Sequence, residues 1–197
     1  MTDPWNPTTC AVFNWLALSL FLMFLGIFTP LFYIPTYAVS RGVDRTLASY
    51  LLAIVNGAST FGRVIPGVMA DRLGAVNVLA WAAIVSGVIL CCLPEAKTTG
   101  GLIAYSIFIG FSSGTVVSGG TAAIAKTAKS QELGTFIGMS MALASVAILI
   151  GPPINGRLLD DYGYLSVALF SGIASITGGL AALVAKFKMV GGIGGKA

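Results

Sequence analysis

The sequence contains no histidine, and charged residues fill only 9% of its 197 positions. A soluble domain carries roughly 25% charged residues, so ordinary aqueous solvation is excluded. Without histidine the commonest general acid–base group and a frequent metal ligand are missing. Cysteine is scarce too: Cys10, Cys91 and Cys92 form neither a C-x-x-C pair nor a cluster. That excludes a disulfide framework and a zinc site. No run reaches five like charges, which excludes a nucleic-acid arm. The apolar stretches hold no carboxylate pair, so we expect no enzyme, no cofactor and no metal. Met1 to Cys10 lacks lysine and arginine, and the apolar stretch after it is too long for a signal h-region, so it reads as a true span.

What is present is apolar surface: 56% hydrophobic residues and a mean hydropathy of +0.92. A chain this apolar needs lipid as its solvent. Six stretches approach the ~20 residues that a spanning helix requires: about 12–39, 47–70, 76–93, 102–125, 134–156 and 165–185. The expectation is an all-α membrane protein, a bundle of six transmembrane helices. An N-terminal segment covers 1–11, the six-span body 12–188, and a disordered glycine-rich tail 189–197. Charges fall mainly in the short separators. Seven cations (Arg63, Arg72, Lys126, Lys129, Lys186, Lys188, Lys196) lie toward one side and four (Arg41, Arg45, Lys97, Arg157) toward the other. By the positive-inside rule both termini are expected in the cytosol, the membrane being the plasma membrane.

Small residues recur four apart in two spans: Ser106, Gly110, Gly114, Ser118 and Ala122, then Gly134, Gly138 and Ala142. Such stripes let helices approach closely in lipid. They serve bundle packing or a sliding contact, and the two uses are compatible.

Arg63 lies eight residues before Asp71, about 12 Å along a helix and inside the hydrocarbon. Placing an arginine there costs roughly 2.5–3.5 kcal/mol on insertion scales. Asn56, Ser59, Thr60 and Arg63 fall at i, i+3, i+4 and i+7, hence on one helical face. The functional reading is a substrate-anion site, since the planar guanidinium suits a carboxylate. The structural alternative is a snorkelling or internally paired arginine. The first span has a second polar face of Thr29, Tyr33, Thr36 and Tyr37, interrupted by Pro30 and Pro35 and more mildly by Gly26. Broken helices mark binding regions in transporters, and a kinked helix with interfacial tyrosines is the plainer reading. Asp71 is placed to cap the next helix or pair with a basic neighbour, and Gly74 to permit a tight turn. Gly151-Pro152-Pro153 is expected to break the fifth span, with Asp160 and Asp161 as solvated loop charges.

In this combination the residues resemble the major facilitator superfamily, specifically the fungal members of its monocarboxylate porter family. Gly67-x-x-x-Asp71-Arg72-x-Gly74 looks like the superfamily's conformational loop motif, without the basic residues that usually follow. Asn56 to Gly67 is similar to the eighth span of that family. Gly26-x-x-x-Pro30 with Tyr33 and Tyr37 looks like its seventh span, and Gly151-Pro152-x-Ile154-x-Gly156-x-Leu158-x-Asp160 like the end of its eleventh. The resemblance runs from about residue 12 to 188. It implies the C-terminal half of a twelve-span transporter working by alternating access. Arg63 then matches a substrate-binding, proton-linked arginine, with Asn56, Ser59, Thr60, Tyr33 and Tyr37 lining the path. Animal members carry an acidic residue one turn before that arginine, where this chain has Ser59. The implied partners are the lipid bilayer, a small organic anion, carboxylate or metabolite as cargo, and a second six-span half or a homodimer, with no nucleic acid. Secondary-metabolite efflux is the alternative cargo class. A non-transporting, truncated membrane protein that only associates with partner chains is the alternative function.

Overall fold

The computed structural model describes residues 7–127 and 132–190. Lys129 and the glycine-rich tail from Gly191 to Lys196 lie outside the described residues. Seven α-helices are described: α1 (Pro7–Ile27), α2 (Thr29–Ser40), α3 (Arg45–Leu73), α4 (Ala75–Cys91), α5 (Thr99–Thr127), α6 (Leu133–Tyr162) and α7 (Tyr164–Val190), with a short 3-10 turn at Leu93–Glu95. Together α1 and α2 make the first span. Among the described residues five spans are long and apolar enough to cross a membrane. The 17 residues of α4 reach only about 26 Å at 1.5 Å each, slightly short of a ~30 Å hydrocarbon core.

The first span breaks at Phe28, just ahead of the expected proline. Pro30 has no N–H to offer the Gly26 carbonyl, and its ring crowds that turn. The chain restarts with Leu31 N–H donating to the Phe28 carbonyl at 3.1 Å. Pro30 then sits in the first turn of α2, where a missing donor costs nothing.

The expected break at Gly151-Pro152-Pro153 does not occur, because α6 runs through both prolines to Tyr162. In lipid, unwinding the segment would orphan more backbone groups than the two prolines do. Asp160 and Asp161 therefore stand on a helix instead of a loop, and Arg157 Nε lies 4.0 Å from Asp161 Oδ2 one turn away. Two separators shrink to single glycines. Gly74 (φ 92°) and Gly163 (φ 79°) adopt backbone angles that favour glycine. Asp71 does not cap α4, whose preceding residue is Gly74 with no side chain to offer. A carboxylate does cap α3: Asp44 Oδ2 accepts from Thr46 N–H at 2.9 Å, and that bond holds its carboxyl below the usual range.

The helices pack in the order α6–α1–α7–α4–α5–α3. Glycines make the contacts close. A methyl on Gly110 or Gly114 would overlap the Val55 or Ser59 carbonyl of α3, and one on Gly62 the Phe111 carbonyl of α5. Gly87 and Gly172 face each other across α4 and α7, each with its Cβ position 2.7 Å from the other's carbonyl oxygen. Hydroxyls then bridge the close backbones: Thr115 to Gly62 O (2.9 Å), Ser19 to Gly178 O (2.8 Å) and Ser175 to Ala83 O (2.9 Å). The core joins Leu16, Leu20 and Met23 of α1 to Leu79 of α4 and Ile124 of α5. The exterior is apolar, with Trp81 65% and Leu149 75% exposed, the inverse of a soluble surface. The stripe Gly134, Gly138, Ala142 is exposed, and no described atom lies within 4 Å of the Cβ positions of the two glycines.

Candidate functional site

The break at Phe28 opens a cleft between the first span, α3 and α5. Phe28, Pro30 and Leu31 form one wall, Asn56, Ser59 and Arg63 the second, and Ser113 and Val117 the third. The helical register explains the second wall, because these three residues of α3 lie within one third of a turn of each other. Ser59 is buried where Gly114 lets α5 close on it. Arg63 and Asn56 are exposed. Asn56 Nδ2 donates to the Leu52 carbonyl at 3.0 Å, leaving its oxygen free, and the Thr60 hydroxyl donates to the Asn56 carbonyl at 3.2 Å. Thr60 points beside the cleft, outside its lining. Arg63 forms no ion pair or hydrogen bond with the described residues.

Ser49, Ala53, Asn56, Thr60, Arg63, Gly67 and Asp71 are all exposed and fall on one line down α3 at intervals of three and four. This line is one edge of the outward face of the helix, whose remainder is apolar, with Tyr50, Phe61, Val64 and Val68 exposed. The enclosed part of the cleft is only about 50 Å³, against ~300–1,000 Å³ for a small-molecule site. The cleft is thus small and open on the exposed edge of α3. A larger groove of about 710 Å³ runs along the other flank of α3, between Met69, Leu73, Trp81, Val85 and Phe187. Its lining is mainly apolar, with Asn77, Ser112, Thr115 and the buried Lys186 among it, and does not include Arg63.

The tyrosines of the first span sit elsewhere. Tyr33 donates its hydroxyl to the Pro152 carbonyl of α6 at 2.8 Å. Tyr37 is fully buried, with its hydroxyl on the Pro94 carbonyl at 3.1 Å, its ring edge-on to Tyr164 and the Arg41 guanidinium 5.1 Å over it. Neither lines the cleft. Thr36 is exposed. In the loop motif, Gly67 faces open space, Gly74 makes the turn, and Asp71 and Arg72 are exposed, with no ion pair to a described residue. Ser113 is a lining residue that sequence reasoning missed. It sits three residues after Gly110 on the glycine-rich helix, and that spacing was its one signal.

The sequence profile of the Major Facilitator Superfamily matches residues 15–194. The chain belongs to this superfamily. It is 42% identical over 92% of its length to the agnestins efflux protein of Paecilomyces divaricatus, of which the match covers 42%. It is 46% identical over 89% of its length to the aspyridones efflux protein of Emericella nidulans, covering 37%. An MFS-type transporter of Aspergillus fumigatus is 43% identical over 80% of this chain and covered to 36%. The chain thus spans about two fifths of the length of these relatives. Within this major facilitator body, Arg63 stands on an exposed side.

Proposed function

We propose that this chain is one six-span half of a secondary transporter that moves a small organic anion or metabolite by alternating access. Arg63 binds the anionic group, and Asn56 and Ser59 flank it. Efflux of a secondary metabolite is the favoured cargo class, because two of the relatives are named for efflux. The carrying observation is Arg63 itself: a guanidinium without a partner among the described residues, on an exposed, largely polar edge of a membrane helix, beside a broken helix. A cation there costs roughly 2.5–3.5 kcal/mol to insert, a cost that a passive packing helix has no reason to carry. The cargo site is completed by a second six-span body, or a second copy, docked along α3 and α6. Only 28% and 17% of the apolar windows of those helices are buried, against 50–56% for the first span, α5 and α7. Both termini face the cytosol of a plasma membrane, and the Gly67 to Gly74 turn works at the moving interface.

Proteoliposome transport of aspyridones and of simple carboxylates tests the reading. Arg63→Ala should abolish movement of any anion the parent carries, and Arg63→Lys should retain a fraction. Unchanged transport in Arg63→Ala would overturn the role of this residue. The open faces of α3 and α6 also fit a second reading, a body that only associates with partner chains. A parent that forms complexes yet moves none of these compounds would favour it.

A further inference from the structure

Three buried side chains from three helices close a hydrogen-bonded ring at the break of the first span. Asn155 Nδ2 of α6 donates to Thr29 Oγ1 at 2.8 Å, and Ser171 Oγ of α7 donates to Asn155 Oδ1 at 3.3 Å. The Thr29 hydroxyl meets Ser171 Oγ at 2.7 Å. With the Ser171 proton spent on Asn155, the Thr29 proton goes to Ser171, and the ring runs in one sense. Thr29 is 3% exposed, and Asn155 and Ser171 are 0% exposed, so no water competes. Buried polar groups in lipid must find such partners.

The ring sits where the backbones are already tight. A methyl on Gly26 would overlap the Ser171 carbonyl, and one on Gly151 would lie 2.7 Å from the Leu25 carbonyl oxygen. One turn farther along α2, the Tyr33 hydroxyl holds the Pro152 carbonyl. The start of α2 is therefore stitched to α6 twice and to α7 once. Thr29 is also the residue between Phe28 and Pro30, which form the cleft wall facing Arg63.

We propose that Thr29, Asn155 and Ser171 are positioning residues: they fix the Phe28–Leu31 wall and so set the width of the Arg63 cleft. This role rests on the reading of that cleft as the cargo site. None of the three touches the cleft, and each acts through the wall it holds.

The test needs no cargo. In a background with Cys10, Cys91 and Cys92 replaced by alanine, Ser113→Cys reports the cleft. Asn77→Cys on α4, which contributes to neither cleft nor ring, is the control. Each is labelled with a water-soluble maleimide in membranes. Thr29→Val should raise labelling at position 113 roughly fivefold, the factor a lost hydrogen bond yields, and leave position 77 unchanged. Ser171→Ala, a milder change, should do the same. Thr29→Ser should behave as the parent. Adding Asn155→Leu to Thr29→Val should give little further rise, since the ring is already open. No rise at position 113 in Thr29→Val or Ser171→Ala, or an equal rise at both positions, would overturn the proposal. If labelling shifts as expected while the parent transports nothing, the positioning role stands and the transport reading falls.

Discussion

Gly114→Ala is the most informative small change in this fold. The Cβ position of Gly114 lies within overlap distance of the Ser59 carbonyl, while that of Gly138 has nothing within 4 Å. The same added methyl therefore meets a rigid helix backbone in one case and open space in the other. At Gly114 the whole of α3 must retreat, because a backbone carbonyl cannot rotate away as a side chain does. Overpacking of this kind costs about 1–3 kcal/mol. At ~2–4 °C per kcal/mol for a protein of this size, Gly114→Ala should lower Tm by roughly 2–12 °C. Gly138→Ala should be neutral or raise Tm slightly, since alanine is the better helix former by up to ~1 kcal/mol. Thermal unfolding in one detergent, followed by tryptophan fluorescence, measures both. Equal Tm values for the two variants would refute the close approach of α3 and α5. So would a Gly114→Ala protein as stable as the parent.

Thr115→Val removes the hydroxyl that bonds Gly62 O across the same contact. At ~0.6 kcal/mol for an average interhelical bond in lipid, Tm should fall by about 1–3 °C in the same melt. Tyr33→Phe releases the Pro152 carbonyl and should cost about 0.5–1.5 kcal/mol, seen as faster amide exchange at residues 154–156. The Asp44 cap makes the start of α3 pH-sensitive. Its carboxyl is held below the ordinary value of ~3.9, so the cap is intact above that value and is lost as pH falls through the lowered one. Exchange at Thr46 N–H should quicken only in acid, and Asp44→Asn should remove that dependence while keeping a capping oxygen.

The spans were legible because each is a long apolar run between short charged separators, a signal that depends on composition alone. The break near Pro30 was legible for a local reason, the missing N–H. Its position at Phe28 depended on which carbonyl Leu31 could reach. The prolines at 152 and 153 misled, because a local rule says stop while lipid penalises unwinding more. The cleft was half legible. Asn56, Ser59 and Arg63 share a face by arithmetic, and Thr60, though on that arc, points past the edge. Tyr33 and Tyr37 look alike in sequence, yet their hydroxyls go to Pro152 and Pro94, partners 119 and 57 residues away that no periodicity encodes. The Thr29–Asn155–Ser171 ring was hidden for the same reason. The one clue was that an asparagine inside an apolar span must find a partner. The two small-residue stripes look equivalent in sequence, but one is filled by α3 and the other faces outward. That difference reflects what lies beside each helix, not the helix itself.

The central claim is that Arg63 faces a water-filled path and receives an anion. Arg63→Cys, in the cysteine-free background, tests it most directly through its reaction with a membrane-impermeant, anionic thiosulfonate. The expected result is rapid modification in intact membranes by this reagent and by an equally sized cationic one alike, since the substitution removes the one charged side chain among the described residues of the cleft. No modification by either reagent would place position 63 against lipid or a packed helix, and would contradict the account.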